Sequence, residues 1–125
     1  MSDINRRLPD AELEVMQAIW MCEAPAARVD IEHILYQTHP MAMTTLLTLL
    51  TRLAEKGFLQ IEKVGRSSRY HPLVSREEYL SAQSKRFVDK LCGGNISTFA
   101  AALCSSGLSK EELAQLRDML EEGTL

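Results

Sequence analysis

The chain has 125 residues, 46% hydrophobic and 25% charged, with four prolines and six glycines. That is about one domain's worth of ordinary globular composition, which excludes a multidomain enzyme and a disordered or fibrous chain. The net charge of −3, from 14 Lys+Arg against 17 Asp+Glu, excludes a surface coated uniformly with positive charge, but not a local basic face.

After a short polar lead, residues 10–23 place Leu13, Met16, Ala18, Ile19 and Trp20 at helical spacing. Glu12 and Glu14 stand near the start, where the helix dipole favours them. The stretch Glu23-Ala24-Pro25-Ala26-Ala27 breaks this helix. A second helix is expected over 28–38, with Val29, Ile31, Ile34 and Leu35 on its apolar side, and His39-Pro40 closes it. A third, over 43–56, carries Leu46, Leu49, Leu50 and Leu53 at i, i+3, i+4 and i+7, the stripe a helix turns toward a core. The opposite face holds Thr44, Thr48, Thr51 and Glu55, flanked by Thr45 and Arg52 on one side and Leu47 on the other.

Beyond Gly57 the period changes to two, with Leu59, Ile61 and Lys63 alternating against Gln60, Glu62 and Val64. A turn at Gly65-Arg66 returns the chain through Ser67-Ser68-Arg69-Tyr70-His71 until Pro72 ends it, predicting one small hairpin. Tyr70 is expected to pack within that hairpin. Ser75-Arg76-Glu77-Glu78 fits a capping box that opens a helix with Tyr79, Leu80, Phe87, Val88 and Leu91, stopped by Gly93-Gly94-Asn95. A short helix with Ile96, Phe99, Ala100 and Leu103 follows. Ser109-Lys110-Glu111-Glu112 then caps a last helix carrying Leu113, Leu116 and Leu120.

Three helices followed by a two-stranded ribbon is the element order of a winged helix. An α-helix fits the DNA major groove, and a wing places cations against phosphate. Between residues 44 and 73 the cations Arg52, Lys56, Lys63, Arg66 and Arg69 face only Glu55 and Glu62, a local charge of +3 that leaves −6 for the rest. The expected fold is therefore mainly α with a small β-hairpin: a winged helix-turn-helix DNA-binding domain at 1–73, then a C-terminal α-helical region at 74–125. About 50 residues are too few for an independent core, so a second copy is expected to complete it. The candidate dimerisation residues are Leu80, Phe87, Leu91, Phe99, Leu103, Leu113, Leu116 and Leu120. A two-fold dimer also matches a palindromic site.

No apolar run approaches the ~18 residues of a membrane span, and residues 1–9 are polar, so a cytoplasmic protein without membrane insertion is expected. Cys22, Cys92 and Cys104 lie far apart without a CxxC pair, suggesting buried structural cysteines and neither disulfide nor zinc site. His33, His39 and His71 form no metal-spaced cluster, and no phosphate loop or nucleophile motif is present, so neither enzyme activity nor a cofactor is expected.

Several stretches resemble the penicillinase repressor family of bacterial winged-helix regulators, in particular its BlaI/MecI-like branch. They are Ala11-Glu12-Leu13-Glu14-Val15-Met16 with Ile19-Trp20; Ala42-Met43-Thr44-Thr45 with Thr48, Arg52-Leu53 and Glu55-Lys56-Gly57; and Gly65-Arg66 with Tyr70 and Pro72. The resemblance implies a homodimeric transcriptional repressor binding a double-stranded operator. Thr45, Thr48 and Arg52 would address bases or nearby phosphates, and Lys63, Arg66 and Arg69 would hold the backbone; Thr44, on the same exposed face but lysine in some members, is a further candidate for DNA contact. It also implies a membrane metalloprotease sensor as a partner, which in penicillinase-type members leads to a cut at an Asn-Phe bond. Here Ala101-Ala102 occupies that place and the Asn-Phe motif is missing. The copper-responsive CopY branch carries paired cysteines at its C-terminus, whereas this chain ends Glu121-Glu122-Gly123-Thr124-Leu125, so copper sensing is not expected. The alternative is a winged helix used for protein–protein assembly, in which Lys63, Arg66 and Arg69 are dispensable.

Overall fold

The computed structural model describes residue 4 and residues 6–123. Met1, Ser2, Asp3 and Asn5 of the polar lead, and Thr124 and Leu125, lie outside the described residues. The chain forms two compact units, Met1–Ser84 and Lys85–Leu125.

The first unit begins with α1 (Asp10–Met21), followed by β1 (Ala26–Ala27), α2 (Arg28–Thr38) and α3 (Met43–Glu55). The hairpin follows as β2 (Leu59–Val64) and β3 (Ser67–Pro72). The leucine stripe of α3 faces inward, with Leu46, Leu49, Leu50 and Leu53 all buried. They join Val15, Met16 and Ile19 of α1, Ile31 and Leu35 of α2, and Phe58 and Leu59 at the root of the hairpin. Within the hairpin Ile61 stands opposite Tyr70 and Lys63 opposite Ser68. Gly65 opens the two-residue turn at φ 63°, the left-handed backbone that a hairpin turn requires at its first central position.

One element escaped the sequence pattern. The hairpin is part of a three-stranded sheet in the order β1-β3-β2, because Ala26 and Ala27 pair antiparallel with Tyr70 and Arg69. A two-residue strand has no alternation to read, and its pairing partner lies more than 40 residues downstream. Tyr70 is buried at the centre of this pairing.

The next helix, α4 (Arg76–Leu91), opens with the expected reciprocal cap: Glu78 N–H donates to Ser75 Oγ at 3.0 Å, and Ser75 N–H to Glu78 Oε1 at 3.1 Å. The division between the two units falls inside this helix, after Ser84, and not at residue 73. The physical reason is Tyr79, whose ring lies 5.8 Å from Phe58, edge to face, and 5.9 Å from Trp20. Its hydroxyl accepts the Leu8 N–H at 2.9 Å, and the Trp20 indole donates to the Val74 carbonyl at 2.9 Å. Tyr79→Phe therefore leaves the buried Leu8 N–H without its acceptor. A loss of about 1–3 kcal/mol is expected, read by urea unfolding; a variant as stable as the parent would remove this hydrogen bond from the account.

The second unit holds the end of α4, then α5 (Ile96–Ser105) and α6 (Lys110–Glu122). Gly93, at φ 62°, ends α4, and the Gly94 N–H closes back on the Val88 carbonyl at 2.8 Å. Asn95 caps α5 by accepting the Thr98 N–H, and Ser109 and Glu112 form the capping box of α6. Phe87 and Phe99 meet edge to face at 5.8 Å. Among the described residues from 85 onward, Cys92 alone is buried. Burial is therefore not shared by the three cysteines: Cys22 is half-buried and Cys104 exposed. The Cys22 thiol donates to the Ala18 carbonyl, and its pKa is raised by burial and, secondarily, by the charge of Asp30.

Candidate nucleic-acid interface

Because its leucines face the core, α3 turns Thr44, Thr45, Thr48, Thr51 and Arg52 outward, all exposed. The tight β2–β3 turn projects Arg66 from the hairpin tip, while Lys63 is exposed on β2 and Arg69 half-buried on β3. Arg52, Lys63 and Arg66 have no ion-pair partner among the described residues. Arg69 donates through Nη1 to the Ser68 carbonyl at 3.3 Å.

A groove of about 460 Å³ separates the third helix from the wing. Leu47 lines it from α3, Lys63, Arg66 and Arg69 line it from the hairpin, and Ala27, Arg28 and Val29 line it from the start of α2. The structure therefore brings Lys63, Arg66 and Arg69 together along one groove. Thr44, Thr45, Thr48 and Arg52 lie on the exposed face of α3 and are not among the groove's lining residues.

Two charges differ from the sequence reading. Lys56 is not a free member of the basic patch: its ammonium is held by the buried carboxylate of Glu12, 44 residues earlier in the chain. Arg28, which the charge window omitted, lines the groove while its guanidinium lies 3.2 Å from Glu32. Its proximity to the wing follows from β1 pairing with β3, which puts Ala27 opposite Arg69. The sequence signal was a basic residue opening the second helix; a window beginning at Thr44 could not include it. Glu62, opposite Arg69 in the hairpin, pairs with His71 at 3.2 Å, drawing one of the two acidic side chains of that window toward the ring. His33 and His39 are exposed on and after α2.

The candidate dimerisation residues divide by location. Leu80 lies in the first unit and is exposed; Phe87, Leu91 and Leu120 are exposed in the second. Phe99, Leu103, Leu113 and Leu116 are half-buried there. Among the described residues no helix is long and apolar enough to cross a membrane, and no group of three or more His, Cys, Asp or Glu side chains is placed to hold a metal ion.

Three core helices, a β-wing and an outward reading face define a winged-helix protein of the DNA-binding class. The family model described as penicillinase repressor matches residues 8–122. The chain is 31% identical over 123 residues to the methicillin resistance regulatory protein MecI of Mammaliicoccus sciuri, covering 98% of this chain and 99% of that one. The solution structure of the DNA-binding domain of the repressor BlaI covers 63% of this chain and 94% of its own length, at 34% identity and a TM-score of 0.53. The monomeric form of BlaI from Bacillus licheniformis, in complex with the blaP half-operator, matches the same shares at 34% identity and a TM-score of 0.50. The chain belongs to the penicillinase repressor family, whose members are transcriptional repressors and not enzymes.

Proposed function

We propose that this repressor binds a palindromic operator as a homodimer, each copy laying α3 in the major groove and its wing along the backbone. The observation that carries this reading is the outward face of α3 standing beside a groove walled by Arg28, Lys63, Arg66 and Arg69. Thr44, Thr45, Thr48 and Arg52 address the groove edge of the bases, because residues near the start of a recognition helix reach bases first. The wing cations and Arg28 act on phosphate, which gives affinity and register without sequence information. An acidic chain with a local excess of cations here binds DNA locally and does not cling to polyanions over its whole surface.

Dimerisation falls to the second unit. Leu91 is 72% exposed, Ile96 67% and Leu120 60%. A unit of this size, with one buried side chain among its described residues, is stabilised by a second copy covering those faces. Within the same proposal, a membrane metalloprotease sensor is a partner, and the segment from Phe99 to Leu103, which lacks the Asn-Phe bond, is where a cut would sever dimerisation. Ala101 and Ala102 are exposed there but lie inside α5, so the helix must fray before a protease can act.

The test is binding of the full chain to duplexes selected from a random pool, compared with random duplex, across a salt series. If the dimer neutralises about 6 to 10 phosphates, log K falls against log salt with a slope of roughly −5 to −9. Equal binding to selected and random duplex at moderate salt would sink the proposal. Arg52→Ala is expected to cost roughly 1 to 3 kcal/mol on the selected duplex and to relax its specificity. An equal loss on random duplex would reassign Arg52 to phosphate.

A further inference from the structure

Thr48 and Thr51 are exposed on α3, yet each hydroxyl proton is already engaged within the helix. Thr48 Oγ1 donates to the Thr44 carbonyl at 2.9 Å, and Thr51 Oγ1 to the Leu47 carbonyl at 3.0 Å. A hydroxyl has one proton to give, so what each threonine retains for a partner is its methyl group and its oxygen lone pairs. Leu47 is 39% exposed, precedes Thr48 directly and lies one helical turn before Thr51, so the three share one side of the helix. An exposed leucine offers nothing to the polar edge of a base. The apolar group that a base pair displays in the major groove is the C5-methyl of thymine.

We propose that Leu47, Thr48 and Thr51 form a methyl-reading strip, so that operator choice by this chain depends on thymine methyl groups and not on hydrogen bonds donated by these threonines. Leu47 sets the wing-side edge of the strip, since it also lines the groove shared with Lys63 and Arg66, and the two threonines extend it along the exposed face of α3. Phosphate contacts from the wing then set the register in which the strip meets the bases. This inference rests on the placement of α3 in the major groove.

The experiment uses the full chain and a duplex that it has selected from a random pool. Every thymine of that duplex is replaced by uracil, which lacks only the C5-methyl. Affinity is expected to fall about fourfold for each contacted thymine, the worth of one buried methyl. The same replacement in random duplex changes binding little. Thr48→Ser with Thr51→Ser keeps the hydroxyls and removes the methyls, and should shrink the thymine-to-uracil affinity ratio; Thr48→Val with Thr51→Val keeps the methyls and should retain that ratio. A selected duplex bound equally well with uracil overturns the strip while leaving α3 in the groove. A ratio that survives undiminished in the serine variant also overturns it, because the methyl groups removed there are then not what meets the thymine. A chain that enriches no sequence overturns the strip together with the operator-binding function on which it rests.

Discussion

Glu12→Ala is expected to lower the unfolding free energy by about 3 kcal/mol, measured by urea denaturation, because it strands the ammonium of Lys56 in a nearly closed site. The Glu12 side chain is 4% exposed and that of Lys56 14%, so little water reaches the pair. Removing one partner of such a pair typically costs about 3–5 kcal/mol, and the residual exposure of Lys56 places the loss at the low end. Helix dipoles reinforce the arrangement, since Glu12 sits in the first turn of α1 and Lys56 caps the end of α3. Lys56→Ala should cost a similar amount. Glu12→Leu combined with Lys56→Met should recover most of the loss, because a well-packed apolar pair replaces a desolvated ionic one at little net cost. If either single variant unfolded like the parent, the pair would be no more than a surface contact. If the double variant were as unstable as the singles, packing rather than charge would explain the loss.

The second large effect is expected at the exposed leucines of the second unit. Leu91→Asp and Leu120→Asp should convert a dimer to a monomer in sedimentation velocity and weaken binding to a two-half-site operator by about a hundredfold or more, since linked half-sites gain affinity from effective concentration. In a monomer both side chains face solvent, where such substitutions usually change stability by no more than about 0.5 kcal/mol. A large loss of operator affinity with unchanged binding to a single half-site therefore points to the interface between copies. A parent chain that sediments as a monomer at micromolar concentration and still binds the palindrome tightly would refute dimerisation through these helices.

What the sequence made legible were features written within a few residues of one another. The leucines of α3 repeat at helical spacing, and the boxes at Ser75 and Ser109 close over three residues, so each could be read from its own segment. The family resemblance was likewise carried by short contiguous motifs, and the match over residues 8–122 agrees with it. What stayed hidden were pairings across long stretches of chain. Lys56 counted as a free cation because nothing local announces Glu12, whose position near a helix start already had a sufficient explanation in the dipole. Tyr79 shares an apolar pattern with the rest of α4, yet its ring and hydroxyl are bound to the first unit. Arg28 reaches the wing groove through a strand of two alanines that carries no pattern at all. Long-range pairing thus altered the membership of the basic patch while leaving the elements that display it unchanged.

The strand order β1-β3-β2 also bears on solubility. It leaves β2 as an outer strand, with no further strand among the described residues paired to its other edge. Charged side chains, lysine above all, are the usual guard against edge-to-edge association, and Glu62 and Lys63 stand together on this strand. Lys63 thus has a use in the free protein besides the phosphate contact proposed for it: exchanging it for an aliphatic residue would expose a run from Ile61 to Val64 with one charge in place of two. A wing variant made to weaken phosphate contact should therefore carry glutamine at this position, so that lost DNA binding is not mistaken for self-association.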